Sequence, residues 1–143
     1  MISVDSQPMF RSGLRVSLAA HFPELILVGE AGSVQEAKTL IEAVNPDLIL
    51  LDLDLNQESG LNLLTTLPAT DKPVKIVAVT QTDDSEIIHY AQQLGVKSFV
   101  KKTGTIQEII SAIKITIQKD ADSDESFNDL EANILTSVGS EEN

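Results

Sequence analysis

The chain has 143 residues, a formal net charge of −12, 42% hydrophobic residues, 3% aromatic residues and no cysteine. That length suits one domain with a tail, and the apolar share is enough for an aliphatic core. Without cysteine there are no disulfides, thiolate chemistry or Cys–zinc sites; His21 and His89, read as ordinary surface or helix-end residues, do not make a His-rich metal site.

The charge is unevenly spread. Residues 1–119 carry 14 acids against 10 bases, whereas residues 120–143 carry 8 acids and no base. Nothing here makes a cationic footprint for nucleic acid or an anionic membrane. No apolar run reaches the roughly 20 residues of a bilayer span, and the N-terminus has no signal-peptide pattern. A cytoplasmic chain is expected.

Ile2-Ser3-Val4 reads as a first strand ending at Asp5. Pro8 opens a helix on which Phe10, Leu14, Val16, Leu18 and Ala19 recur at roughly helical spacing, ending near His21-Phe22-Pro23. Leu25-Ile26-Leu27-Val28 reads as a second strand, closed by Gly29. Ser33 with Glu36 three residues on is a capping box for a helix striped by Val34, Ala37, Leu40, Ile41 and Val44.

Leu48-Ile49-Leu50-Leu51 leads into Asp52. A run so short and so apolar predicts a strand buried on both faces, the mark of a parallel sheet with helices on each side. Gly60 to Leu67 predicts a short helix stopped by Pro68, and Val74 to Val79 a fourth strand ending at Thr80. Asp83-Asp84-Ser85 starts a helix that Gly95 ends. Val96 to Val100 is a fifth strand before Lys101-Lys102, and Thr105 caps a helix with Ile106, Ile109, Ile110, Ile113 and Ile117. Strands alternating with helices in this way predict a doubly wound, five-stranded parallel sheet over residues 1–119. Residues 120–126 are an acidic linker. Residues 127–143 return to helical spacing at Phe127, Leu130, Ile134, Leu135 and Val138.

In such a fold the carboxyl ends of strands one, three, four and five share an edge, which carries Asp5, Asp52, Thr80 and Lys102. Ligands of open α/β sheets bind there. Two carboxylates suit a hard cation such as Mg²⁺, and a hydroxyl and an ammonium beside them suit phosphoryl oxygens. Asp52 would be the nucleophile that forms an acyl phosphate. Taken singly, Thr80 reads equally as a helix cap and Lys102 as a surface charge.

Val4-Asp5-Ser6-Gln7-Pro8-Met9-Phe10-Arg11, Pro46 to Asp52 with Gly60 beyond, Val79-Thr80, and Gly95 to Lys102 stand in register with four motifs of one family. Residues 1 to about 119 resemble a response-regulator receiver domain of the NarL/LuxR type, a flavodoxin-like (βα)5 fold. The resemblance implies that Asp52 is phosphorylated by a partner histidine kinase. It implies a Mg²⁺ site of Asp5, Asp52 and the Asp54 backbone carbonyl, phosphoryl contacts from Thr80 and Lys102 (not Lys101), and a switch role for Phe99, which reads equally as a core ring.

Three departures stand out. Ser6 replaces the family's second acid, commonly the direct metal ligand, so weak Mg²⁺ binding and impaired phosphorylation are expected. Asn56 stands where a proline is usual. Asp54 adds a carboxylate that either restores the lost charge or raises the Asp52 pKa by repulsion. The tail resembles the first helix of a LuxR-type helix-turn-helix, or is an ordinary amphipathic segment; DNA binding is expected only through a domain beyond this chain, and a homodimer is open. One alternative is a degenerate receiver that acts by partner contact without phosphate. The other, weaker one is a haloacid-dehalogenase-like phosphatase using Asp52-Leu53-Asp54, whose motif falls on the wrong strand. The chain is otherwise expected not to be an enzyme.

Overall fold

The computed structural model describes residues 1–67 and 73–121, with the backbone alone for 119–121. The expected linker and tail fall almost wholly outside these residues. The elements are β1 (Ile2–Val4), α1 (Pro8–His21), β2 (Gly29–Ala31), α2 (Val34–Val44), β3 (Leu48–Asp52), β4 (Asp54–Leu55), β5 (Glu58–Ser59), α3 (Leu61–Leu64), β6 (Lys75–Thr80), α4 (Ser85–Gln93), β7 (Val96–Lys101) and α5 (Ile106–Ala121).

Five strands form one parallel sheet in the order β2-β1-β3-β6-β7, and β4 and β5 form a small antiparallel hairpin. The expected doubly wound (βα)5 architecture is therefore present. Alternation along β3 divides the core. Ile49 and Leu51 face the side covered by α2, α3 and α4, where Val34, Ala37, Leu63, Leu64 and Ala91 pack. Leu48 and Leu50 face the side covered by α1 and α5, with Leu14, Leu18, Ile109, Ile110 and Ile113. Both faces are apolar because both are covered.

The capping chemistry acts as read. Ser33 Oγ accepts from the Glu36 amide, and Glu36 Oε1 accepts from the Gly32 amide, holding the start of α2. Asp84 caps α4, and Gly95 beyond its end has φ +111°, a left-handed conformation suited to glycine. Thr105 Oγ1 accepts from the Glu108 amide at the start of α5.

Three local expectations are corrected, and one element, the hairpin after β3, was not expected. The Leu25–Val28 run is not the second strand; the ladder begins at Gly29, because the register sets Ile2 opposite Gly29 and Val4 opposite Ala31. Residues 25–28 instead run along the sheet edge, tied by the Met1 ammonium to the Ile26 carbonyl and by the Val28 amide to the Met1 carbonyl, each 2.9 Å. Leu25 and Leu27 pack inward while Ile26 is 69% exposed. On α1, Val16 is 67% exposed and Ala19 is exposed too: Leu14 and Leu18 lie one turn apart on the inner face, and Val16 falls between them on the opposite side. The third helix ends at Leu64, not Leu67, where the Thr65 and Thr66 hydroxyls donate to the Asn62 and Leu63 carbonyls. The loop after β3 holds the β4–β5 hairpin, which turns through Asn56 and Gln57, the latter at φ +61°.

Candidate functional site

The strand order reverses direction between β1 and β3, so the ends of these two neighbours open a crevice at the carboxyl edge of the sheet. Asp5 follows β1 and is 1% exposed. Asp52 ends β3 and is 2% exposed. Each carboxylate is held by a backbone amide two residues on: Gln7 N–H donates to Asp5 Oδ1 at 2.8 Å, and Asp54 N–H donates to Asp52 Oδ1 at 2.9 Å. These short turns leave the Oδ2 atoms of both residues for a common partner.

That partner is Lys102. Its Nζ donates to Asp5 Oδ2 at 2.7 Å and to Asp52 Oδ2 at 2.6 Å, with only 8% of the side chain exposed. The Lys102 amide donates to the Thr80 carbonyl at 2.9 Å, which extends the β6–β7 pairing one residue past β7 and delivers the side chain to the crevice. Lys101, one residue earlier, points the other way and pairs with Asp83 on the surface. Lys102, not Lys101, is thus the lysine that enters the crevice.

Burial pushes the Asp52 carboxyl above its ordinary pKa, and the nearby Asp5 charge adds to the rise. The Lys102 hydrogen bond and the Asp54 amide offset this only in part. Burial works against the Lys102 ammonium, but its hydrogen bonds to Asp5 and Asp52 prevail and hold its pKa above the ordinary lysine value. Asp54 therefore acts on Asp52 through a backbone amide that lowers the pKa, not through the repulsion considered from sequence. Its own carboxylate is exposed and accepts from the Gln81 amide at 3.3 Å.

Thr80, 2% exposed at the end of β6, accepts through Oγ1 from the Thr82 amide at 3.1 Å. Phe99 is half-buried on β7 opposite Ala78 and packs against the core under α4. Ser6 is half-buried beside Asp5. Gly60 folds back over the site: a Cβ there would lie 2.4 Å from the Asp52 carbonyl oxygen and 3.0 Å from Leu53 Cα, so no larger residue fits without moving backbone.

Three contributors were not singled out in the sequence. Phe10, read only as part of an apolar stripe, has its ring centroid 4.8 Å from Lys102 Nζ. Arg11 donates through Nη1 to the Asp5 carbonyl and through Nε to Glu30. Glu58 of the hairpin accepts from the Val34 amide at 3.0 Å, joining the loop after Asp52 to the start of α2. Phe10 and Arg11 lie in the opening motif, so a signal was present; for Glu58 nothing in the spacing announced a partner 24 residues away.

The oxygen donors suit Mg²⁺, which is bound through one or two carboxylates with several waters retained. The set is a reduced one: among the described residues no group of three or more His, Cys, Asp or Glu side chains is placed to hold a metal ion. Lys102 already engages both carboxylates.

The fold and the crevice define a class: an α/β domain whose buried aspartates and lysine gather at the carboxyl edge of a parallel sheet. A family model described as the response regulator receiver domain matches residues 1–114, and the chain belongs to that family. It is 28% identical over 113 residues to the nitrate/nitrite response regulator protein NarL of Escherichia coli (strain K12), covering 79% of this chain and 52% of that one. It is 34% identical over 116 residues to a protein-glutamate methylesterase/protein-glutamine glutaminase of Carboxydothermus hydrogenoformans, covering 80% of this chain and 34% of that one. A LuxR-family two-component response regulator from Aurantimonas sp. SI85-9A1 superposes with a TM-score of 0.71 at 27% identity, covering 82% of this chain and 84% of that one. The chain spans about half the length of the regulators it matches. No helix among the described residues is long and apolar enough to cross a membrane.

Proposed function

We propose that residues 1–119 act as the receiver of a NarL/LuxR-type two-component regulator, taking a phosphoryl group from a histidine kinase onto Asp52. The observation that carries this reading is the Lys102 ammonium bonded to two buried aspartates at the sheet edge. An Asp52 carboxylate oxygen attacks phosphorus, the P–N bond of the kinase phosphohistidine breaks, and the imidazole leaves with the electron pair. Asp52 must be ionised to attack. Lys102 favours that form and then neutralises charge on the phosphoryl oxygens. The Thr80 hydroxyl is one strand away to donate to the same group, and Phe99, beneath α4, is the ring whose packing follows that contact. Asp5, Asp52 and the Asp54 backbone carbonyl would hold Mg²⁺, which supplies further neutralisation of the phosphoryl charge when bound. Transcriptional control, DNA contact and any homodimer belong to the larger regulator of which this receiver would be part, with residues 120–126 as linker and 127–143 leading toward the output.

A second reading is favoured by one feature. Ser6 leaves the crevice with two acids that Lys102 already satisfies, so a receiver that signals by partner contact without phosphate is consistent with the same geometry. The phosphatase alternative loses its support, because the Asp54 carboxylate is exposed and bonded to the Gln81 amide.

Intact-mass spectrometry after incubation with acetyl phosphate and Mg²⁺, with Asp52→Asn as control, decides between the two. One added phosphoryl group on wild type alone supports the phosphoreceiver; none on either protein supports the phosphate-independent form.

A further inference from the structure

We propose that Phe10 is a positioning residue of the site: its ring face seats the Lys102 ammonium, so that one cation stays directed at both Asp5 and Asp52. Nζ stands 4.8 Å from the ring centroid, within the range where the negative face of an aromatic ring attracts a cation. An ammonium has three N–H donors, and Asp5 and Asp52 account for two. The ring supplies an attractive surface at a third side. A lysine stem has several rotatable bonds, so without such a seat it would sample geometries that favour one carboxylate or solvent.

The ring itself is well placed to serve as a fixed wall. Phe10 lies in the first turn of α1, whose start is set by Pro8. The same turn is tied to Asp5 by the Gln7 amide on Oδ1 and by Arg11 on the carbonyl oxygen. Carboxylate and ring therefore share one frame, against which the Lys102 ammonium rests. Leu14 and Leu18, farther along α1, are fully buried core residues, whereas Phe10 is half-buried at the edge of that core, where its face is available to Lys102. An aliphatic side chain would fill the space and give no such attraction. The consequence for phosphoryl transfer rests on the receiver reading; the coupling between ring and ammonium does not.

Phe10→Leu keeps apolar volume and removes the π face, whereas Phe10→Tyr keeps the face. Urea unfolding of wild type, Phe10→Leu, Lys102→Ala and the double variant isolates the pairwise term. Phe10→Leu is expected to lower the folding equilibrium constant about threefold more when Lys102 is present than when it is alanine. Equal effects in both backgrounds overturn the proposal. If Lys102→Ala does not fold, NMR decides: the Lys102 Hε resonances are expected upfield in wild type and Phe10→Tyr and unshifted in Phe10→Leu, and an unshifted wild-type signal overturns the proposal. In the acetyl phosphate reaction, Phe10→Leu is expected to slow transfer about threefold and Phe10→Tyr to restore it; a loss that Tyr does not restore indicates mere packing and also overturns it. If wild type takes no phosphoryl group, the phosphate-accepting reading fails, and the unfolding cycle still decides the role of the ring.

Discussion

Removing the Lys102 ammonium is the sharpest perturbation of this site. Lys102→Ala leaves two carboxylates, with side-chain exposures of 2% and 1%, facing one another without their shared cation. Deleting one partner of a buried ion pair costs about 3–5 kcal/mol. The lower end applies here, since Asp5 keeps the Gln7 amide and Asp52 keeps the Asp54 amide. A loss of about 3 kcal/mol at pH 7 is therefore expected in urea unfolding. Its pH dependence carries a sign. Asp52 already has a folded pKa above the ordinary value, so the folded state binds its proton more tightly, and stability from this group falls as pH rises upward from about 4 through the folded value. Without Lys102 that pKa rises further, because burial and Asp5 remain while the compensating hydrogen bond is gone. Protonation of Asp52 then relieves the repulsion, and the loss at pH 5 is expected to be smaller by about 1 kcal/mol or more. Wild-type Lys102 adds a second limb of the same sign at alkaline pH: its raised pKa contributes stability that is present below the ordinary lysine value and lost as pH rises through the folded one. A second variant, Asp52→Asn/Lys102→Ala, removes the like-charge pair and is expected to recover about half of the loss. A loss under about 1 kcal/mol at pH 7, or one identical at both pH values, would refute the view that Lys102 neutralises this crevice.

Ser6→Asp adds an acid beside Asp5 and is expected to tighten Mg²⁺ binding by about tenfold or more, read by titration calorimetry; unchanged affinity would show that Ser6 is not at the metal position. Gly60→Ala places a Cβ 2.4 Å from the Asp52 carbonyl oxygen and is expected to cost about 2 kcal/mol or more in unfolding, since backbone and not a flexible side chain must give way. Glu58→Ala removes the acceptor of the Val34 amide and is expected to cost about 1 kcal/mol and to raise hydrogen exchange at Val34; a protected Val34 amide in the variant would count against that contact as the cap.

The sheet was readable because burial on both faces writes itself as unbroken apolar runs, as in Leu48–Leu51 and Ile76–Val79. The strand ends were readable for a related reason: Asp5, Asp52 and Thr80 each stand where an apolar run stops and share the carboxyl edge, which Lys102 joins from one residue past β7. What the pattern misled on was the second strand. Leu25–Val28 has the composition of a strand, but hydrogen bonding starts where β1 offers partners, and three-residue β1 offers them to Gly29–Ala31. The hairpin after Asp52 left no trace because two-residue strands have no periodicity. Phe10 was hidden by its chemistry: on a helix an apolar residue reads as core, and only the position of Lys102, 92 residues downstream, makes its face functional.

The same geometry predicts how Ser6 would bear on metal binding. Two carboxylates and one ammonium leave the crevice with one negative charge in excess when all are ionised. A third acid would add a charge that the single positive charge of Lys102, already shared between Asp5 and Asp52, does not balance, and a dication would offset it. With a serine there, Lys102 alone comes within one unit of balance, and the gain from binding Mg²⁺ shrinks accordingly. A phosphoryl group on Asp52 reverses this, since it brings at least one further negative charge to the same Lys102. Demand for the metal should then depend on phosphorylation more steeply here than in a receiver with the second acid. Comparing Mg²⁺ affinity before and after phosphorylation, in wild type and in Ser6→Asp, reads that difference directly: a larger ratio in wild type is the expected result, and an equal ratio would mean that Lys102 does not set the charge balance.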